Sequence, residues 1–206
     1  VIKNCQKKWI RTSEEFQEKG YNWSEVQETD LTVINAYADY LTAAANLIRV
    51  ANQSKVYKII EDKKLWIPTA EAFTAMGNDW SDIEDIDESE VNQYPRLELA
   101  KLSNDPKVYY LTETGLKRHI PTVEAFNSYN YDWSEIVEVS NDIIDSYKDN
   151  TLIMMEGDYK VYRLLNGIRR WIKTDEAFRR LNYDKSKIEQ VTKLELFSYK
   201  EEAPIE

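Results

Sequence analysis

The chain has 206 residues, of which 42% are hydrophobic and 12% are aromatic, so it carries enough apolar surface to form a buried core and is not expected to be disordered. Its formal net charge of −10 at pH 7 disfavours nucleic acid and anionic membrane surfaces as partners, because both select for basic patches. No apolar run reaches the roughly 18 residues of a transmembrane helix, so we expect a chain that does not span a membrane.

The cysteine and histidine content limits the chemistry that is available to the chain. Cys5 is the only cysteine and His119 the only histidine, which excludes an internal disulfide and a metal site of the Cys/His type. Cys5 falls in a predicted turn, where we expect an exposed free thiol. The chain begins at Val1 with neither an initiator methionine nor a signal peptide, which suggests a fragment of a longer protein.

Landmark residues recur along the chain at nearly constant spacing, which is the signature of tandem repeats. The landmarks are Ile10, Ile67, Ile120 and Ile172; Phe16, Phe73, Phe126 and Phe178; Tyr37, Tyr94, Tyr147 and Tyr199; and Trp23, Trp80 and Trp133, with Lys185 in the tryptophan position of the last copy. Successive copies are separated by 57, 53 and 52 residues. We predict four repeats of about 52 residues each, at 1–54, 55–106, 107–159 and 160–206.

Each repeat is predicted to start with a strand and a β-hairpin. Alternating apolar residues indicate a leading strand at 46–51, 96–102 and 151–155, and a hairpin at 56–67, 108–120 and 161–172. The turn signal is strongest at Asn166-Gly167, because both residues tolerate positive φ. The hairpins should place Tyr57 opposite Trp66, Tyr109 opposite His119, and Tyr162 opposite Trp171.

Short helices are predicted to follow each hairpin. The threonine that lies two residues after each landmark isoleucine suits a helix N-cap, and the landmark phenylalanine then falls on the inner face of that helix. These threonines are Thr12, Thr69, Thr122 and Thr174. A second cap is predicted at Ser24, Ser81, Ser134 and Ser186, and a third short helix should end at the landmark tyrosine.

The predicted fold is therefore α+β, with four tandem repeats that each contain a short antiparallel β-meander of about three strands plus short helices. The first copy lacks the start of its hairpin, and residues 203–206 begin a further strand after the fourth copy. Either the ends of a longer array are missing or the C-terminal strand completes the first sheet. The array is accordingly a closed propeller-like ring or an open solenoid.

The third copy carries the most complete motif, which contains Lys117, Arg118, Ile120-Pro121, Phe126, Tyr131-Asp132-Trp133 and Tyr147. This pattern resembles a repeat of about 50 residues in bacterial secreted and cell-envelope proteins, with the form Val-Tyr-x-Leu, a glycine turn, Lys-Arg-x-Ile-Pro, Phe, Gly-Tyr-x-Trp, a valine-rich stretch and a final tyrosine. The resemblance covers nearly the whole chain. It implies an exported, non-catalytic module and no catalytic residues or cofactor.

An aromatic row is the candidate binding site. Side chains alternate between the two faces of a strand, so if the landmark isoleucines face one side, one aromatic pair per repeat faces the other. The row comprises Trp9, Tyr57, Trp66, Tyr109, His119, Tyr162 and Trp171. Such platforms stack on sugar rings, so a polysaccharide is the predicted ligand. The alternative is that the row packs against a neighbouring repeat or a helix.

Other candidate sites have simpler structural explanations. The acidic segment 78–90 could bind calcium, but it lacks the spacing of an EF-hand loop and is better explained as a solvated face. His119 replaces the tryptophan of the other copies and is interpreted as one more ring in the row. Trp23, Trp80 and Trp133 are interpreted as core anchors. No catalytic site and no metal site are predicted.

These patterns favour a non-catalytic module that is extracellular or located at the cell surface. It would bind a polysaccharide or another cell-envelope component, or it would assemble by self-association. The alternative is a purely structural array that spaces or oligomerises attached domains. Repetition argues against an enzyme, because similar copies rarely leave one asymmetric catalytic constellation.

Overall fold

The computed structural model describes residues 2–3, 6–7, 10, 13–18, 20–35, 38–39 and 47–206. The chain divides into two compact units. One consists of Val1–Lys64 and Asp79–Tyr94, and the other of Leu65–Asn78 and Pro95–Glu206. The fold is mixed α+β, as predicted. Cys5, Trp9, Thr12 and Tyr37, which the sequence analysis singled out, lie outside the described residues.

The first unit contains two small sheets. The first has the order β1-β2-β3, with β1 antiparallel and β3 parallel to β2, and the second has the order β6-β5-β4-β7, with β5 antiparallel and β7 parallel to β4. Strand β6 continues past Lys64 into the second unit. The elements are β1 Ile2–Lys3, β2 Gln6–Lys7, α1 Ser13–Glu18, a 3₁₀ helix Trp23–Glu25, α2 Leu31–Asn35, β3 Ala38–Asp39, β4 Leu47–Val50, β5 Val56–Ile60, β6 Lys63–Trp66, a 3₁₀ helix Trp80–Asp82 and β7 Glu84–Ile86. Helix Glu88–Val91, numbered α4 below, completes it.

The second unit contains two five-stranded sheets, preceded by helix α3, Ala70–Ala75. The first of these sheets has the order β11-β8-β9-β10-β12 and the second the order β16-β13-β14-β15-β17. The first is built from β8 Leu99–Lys101, β9 Val108–Leu111, β10 Leu116–Ile120, α5 Val123–Asn127, a 3₁₀ helix Trp133–Glu135, β11 Val137–Glu138, α6 Asn141–Ser146 and β12 Lys148–Asp149. The second is built from β13 Leu152–Met155, β14 Val161–Leu165, β15 Ile168–Ile172, α7 Asp175–Arg180, a 3₁₀ helix Lys185–Lys187, β16 Glu189–Val191, α8 Lys193–Ser198 and β17 Lys200–Ile205.

The predicted three-stranded meander forms only the centre of each five-stranded sheet. Strands β8, β9 and β10 pair antiparallel, and so do β13, β14 and β15. Two parallel strands flank each meander: β11 and β12 in one sheet, and β16 and β17 in the other. Of these four, only β17 overlaps a predicted strand, the one expected to begin at 203–206. The C-terminal strand β17 thus pairs with β15. Among the described residues, the strands do not close into a barrel or a propeller.

The hairpin turns follow the predicted chemistry. Asn166 and Gly167 have φ values of 51° and 74°, and Tyr162 lies opposite Trp171 as predicted. Gly115 in the β9–β10 turn has a φ of 77°, and a Cβ atom there would lie 2.9 Å from the Cβ of Pro68. Any other residue would therefore be strained and would clash, because Gly115 meets the segment before α3.

The predicted threonine caps are confirmed within the described residues. The hydroxyls of Thr69, Thr122 and Thr174 each accept a hydrogen bond of 3.1 Å from the backbone N–H three residues ahead. The predicted serine caps are wrong by two residues. Each serine lies inside a 3₁₀ helix, and its N–H donates to the side chain of the true N-cap residue. These N-caps are Asn22, Asp79, Asp132 and Asp184.

Both faces of the C-terminal sheet are covered. On one face Val161 and Ile172 pack with the landmark Phe178 of α7, and on the other Tyr162 and Trp171 pack in a second cluster. That second cluster contains Val191 of β16, Leu196 of α8 and Tyr199, the C-cap residue of α8. The alternation along β14 and β15 therefore divides the side chains as predicted, but neither face is left open to solvent.

The first cation of the Lys-Arg motif caps a helix that follows it in the chain. Lys117 Nζ donates to the carbonyl oxygens of Ile144 and Tyr147 at 2.9 and 2.8 Å, at the C-terminal end of α6. Arg169 makes the corresponding contact with Leu196 O at the end of α8, and Lys64 contacts Val91 O at the end of α4. A cation at this end of a helix satisfies unpaired carbonyl groups and favours the helix dipole.

Replacing Lys117 by methionine is expected to lower the free energy of unfolding by about 1–3 kcal/mol, since two charge-assisted hydrogen bonds are lost while most of the apolar stem is kept. Lys148→Met is the matched control, because Lys148 is exposed on the neighbouring strand, and it should change stability by less than about 0.5 kcal/mol. Urea unfolding followed by circular dichroism measures both. Equal stabilities of the two variants would contradict the capping role.

Candidate binding site

The landmark tryptophans are exposed to solvent. The exposed fractions are 59% for Trp23, 55% for Trp80 and 49% for Trp133. The interpretation of these residues as core anchors is therefore wrong. The landmark phenylalanines are the residues that enter the core: Phe126, for example, is 1% exposed.

Trp133 is exposed because it lies on the outer side of the core. Its ring stacks on that of Phe126, with the centroids 4.0 Å apart and the planes at 26°. The 3₁₀ helix that begins at Trp133 is held by Asp132, whose carboxylate accepts hydrogen bonds from both N–H and Oγ–H of Ser134 at 2.8 Å. One side of the indole is thus supported by a buried ring while about half of its surface remains open.

The same support recurs at other landmark positions. Phe16 and Trp23 stack with centroids 4.1 Å apart, at an angle of 23°. In the last copy the ammonium group of Lys185 lies 5.9 Å from the ring centre of Phe178, so a cation–π contact takes the place of the stack. A position that accepts lysine has access to water. This substitution was the sequence signal that the landmark tryptophan is exposed.

Trp133 borders a shallow cleft of about 260 Å³. The cleft is lined by residues of β9, β10, α5 and the loops beside them. They are Pro106, Lys107, Val108, His119, Ile120, Pro121, Thr122, Val123, Phe126 and Trp133. Of the predicted aromatic row, His119 is the member that reaches this cleft. The cleft is therefore lined both by His119, a predicted site residue, and by Trp133, which was predicted to lie in the core.

The cleft has a weakly basic, mainly apolar lining. Burial, and then the nearby ammonium group of Lys107, lowers the pKa of His119 below its ordinary value of 6.5, so the imidazole is neutral at pH 7. The Lys107 side chain is 54% exposed and lies 3.9 Å from the Asp105 carboxylate. A ligand would thus meet one exposed ammonium group, a neutral imidazole and an indole face.

The other members of the predicted row that the structure describes are half-buried or buried; Trp9 lies outside the described residues. Tyr57, Trp66, Tyr109 and Trp171 are half-buried, and Tyr162 is 7% exposed. Tyr109 lies opposite His119 as predicted, with ring centroids 5.8 Å apart. Trp171 is covered on one side by Lys160, whose Nζ lies 4.8 Å from the indole centre. Tyr162 and Trp171 also pack in one cluster with Leu196 of helix α8. The alternative interpretation of the row predicted packing against a helix or a neighbouring repeat.

Other functional groups form no recognisable centre in the part of the chain that the structure describes. No group of three or more His, Cys, Asp or Glu side chains there could hold a metal ion. None of the helices in the described ranges is long and apolar enough to cross a membrane. In the acidic segment 78–90, Asp79 caps a 3₁₀ helix and Asp85 pairs with Arg49 at 2.7 Å. Calcium binding by this segment remains a hypothesis.

Comparison of the chain with protein-family models, with curated proteins and with solved structures finds no match. The resemblance to the repeats of secreted and cell-envelope proteins therefore remains a prediction.

Proposed function

We propose that the protein is a non-catalytic binding module that acts outside the cell or at the cell surface, and that the cleft beside Trp133 binds a polysaccharide. The observation that carries this proposal is the half-exposed indole of Trp133, which stacks on the buried ring of Phe126. The proposed location rests on the resemblance of the third copy to repeats of bacterial secreted proteins.

A supported indole suits a sugar ring. The apolar C–H face of a pyranose packs on an aromatic face, and the tryptophan adds large contact area with few torsions to immobilise. Stacking on Phe126 restricts those torsions before any ligand arrives, which reduces the entropy lost on binding. Lys107, His119 and the hydroxyl of Thr122 line the same cleft and can hydrogen-bond to the hydroxyl groups of a sugar.

The lining of the cleft also supports the non-catalytic part of the proposal. Glycoside hydrolysis generally needs two carboxylates on either side of the scissile bond. Among the described residues, the ionisable side chains that line this cleft are those of Lys107 and His119, and none of these lining residues carries a carboxylate. A polysaccharide would accordingly be held without being cleaved.

We further propose that the chain contains four tandem repeats, which is the finer part of the predicted fold. The two five-stranded sheets share one strand order, and the sheet formed by β4–β7 matches four of its five positions. Helix α3 packs on helix α6, and helix α5 packs on helix α8. In both pairs, the helix that directly follows one hairpin contacts the second of the two helices that follow the next hairpin. This repeated packing also favours the alternative function, a structural spacer, because such stacking can extend without any ligand.

A calorimetric titration with cell-wall and other polysaccharides tests the proposal. Wild-type protein should bind at least one of them, and Trp133→Ala should weaken that binding about tenfold or more, in line with the loss of one stacking contact. Trp171→Phe is the control, because this half-buried residue lies outside the cleft, and its affinity should stay at the wild-type value. Wild-type affinity in Trp133→Ala, or no binding across the panel, would overturn the proposal and favour the spacer.

A further inference from the structure

A buried ion pair joins strand β10 of the first five-stranded sheet to helix α8, which lies between strands β16 and β17 of the second. Arg118 on β10 and Glu195 on α8 are 2% and 0% exposed at their side chains, and Arg118 Nε lies 2.6 Å from Glu195 Oε1. Tyr129 OH donates to Glu195 Oε2 at 2.5 Å, and Tyr199 OH donates to Oε1 at 2.8 Å. The carboxylate therefore accepts three hydrogen bonds while shielded from water. We call these four residues the ionic cluster.

The ionic cluster is costly to bury. Burial opposes the charge on Arg118, yet the adjacent Glu195 carboxylate raises the pKa of the guanidinium above its ordinary value. Burial and then Glu195 also raise the pKa of Tyr129 and of Tyr199, so both hydroxyls keep the protons they donate. Buried ion pairs are often no more stabilising than apolar side chains of similar volume. Stability alone therefore does not account for the cluster.

The contact between helices α3 and α6 has an apolar set at the corresponding positions. Counting back 52 or 53 residues from Arg118, Tyr129 and Glu195 leads to Leu65, Met76 and Ile143. Leu65 is 0% exposed and Ile143 is 6% exposed.

The two contacts are made by corresponding elements. Helix α6 packs on α3 as α8 packs on α5. The landmark tyrosine of each later helix donates to a strand carbonyl: Tyr147 OH to Trp66 O at 2.5 Å, and Tyr199 OH to His119 O at 3.3 Å. Two equivalent helix-docking surfaces in one chain thus differ in chemistry, one apolar and one ionic.

We propose that the ionic cluster is a recognition element that determines which helix docks on which sheet. The surface formed by Arg118 and Tyr129 accepts a helix with a carboxylate at the position of Glu195. The surface formed by Leu65 and Met76 accepts one with an aliphatic residue at the position of Ile143. Exchanging the helices would bury Glu195 against leucine and leave Arg118 facing isoleucine, so each wrong pairing leaves an uncompensated buried charge.

The inference is tested in the full chain by exchanging the two sets. The crossed variant Ile143→Glu with Glu195→Ile keeps the amino-acid composition but mismatches both surfaces. We expect its urea midpoint to fall by about 1–3 M, or its cooperative transition to be lost. The matched variant contains the same two substitutions and adds Leu65→Arg, Met76→Tyr, Arg118→Leu and Tyr129→Met. The ionic set then lies at the contact of α3 with α6, and the apolar set lies at the contact of α5 with α8. It should recover more than half of the lost midpoint.

A third variant separates recognition from stability. Arg118→Leu with Tyr129→Met and Glu195→Ile gives the second contact the apolar set of the first, and its urea midpoint should equal or exceed that of the wild type. The proposal is overturned if the crossed variant is as stable as the wild type, if the matched variant is no more stable than the crossed one, or if this apolar variant is markedly destabilised. The last result would make the cluster a stabilising element only.

Discussion

Glu195→Gln should lower the free energy of unfolding by about 3–5 kcal/mol, which is the range observed when one partner of a buried ion pair is removed. Glutamine preserves the size of the side chain and one oxygen acceptor, so packing changes little. Arg118 keeps its charge, however, and stays buried without the carboxylate 2.6 Å away. Urea unfolding at pH 7, followed by far-UV circular dichroism, measures the loss.

Glu138→Gln is the matched control for this prediction. Glu138 forms an ion pair with Lys101 at 2.8 Å, nearly the same distance, but the two side chains are 54% and 35% exposed. Exposed ion pairs contribute about 0–1 kcal/mol, so the control should lie close to the wild type. Similar losses in the two variants would show that burial does not set the energy of the Arg118 pair, contrary to our expectation.

Phe126→Ala is expected to cost about 3–5 kcal/mol, as is usual when a large aromatic residue is removed from a core. The ring is 1% exposed and packs with Leu99, Val108 and Ile120 of the sheet beneath it. Its removal leaves a cavity and also withdraws the support from Trp133. The near-ultraviolet circular dichroism of the tryptophan should therefore weaken together with the stability.

Val123→Ala tests whether this loss comes from burial. Val123 lies in the same helix, α5, but is 54% exposed, so we expect a change of less than about 0.5 kcal/mol. Thermal and urea unfolding of both variants provide the comparison. If Phe126→Ala were as stable as Val123→Ala, the assignment of Phe126 to the core would fail, and with it the explanation of why Trp133 is held rigid.

Local chemistry made the hairpins and the starts of the first helices predictable from the sequence. The threonine caps, the Asn166-Gly167 turn and the pairing of Tyr162 with Trp171 depend on residues close together in the chain. Local sequence patterns did not predict the short flanking strands. β11 and β12 have only two residues each, which is too short for a periodic pattern, and their partners β8 and β10 lie far away in the chain.

The candidate site was only partly predictable, for a related reason. Strand alternation correctly placed His119 opposite Tyr109, and His119 does line the cleft. Alternation cannot show which face a helix will cover, so the half-buried positions of Trp66 and Trp171 were missed. The exposure of Trp133 depends on a 3₁₀ helix that folds back on Phe126. The sequence signal for that exposure was Lys185, which was interpreted as a departure from the repeat.

Strand β17 also has a bearing on solubility. Among the described strands, only β15 pairs with it, so its other side is a sheet edge to which a strand of another molecule could add. Its sequence opposes that addition: Lys200, Glu201 and Glu202 are charged and exposed, and Pro204 offers no N–H group to a neighbour. The free edge of β17 is thus poorly suited to β-aggregation.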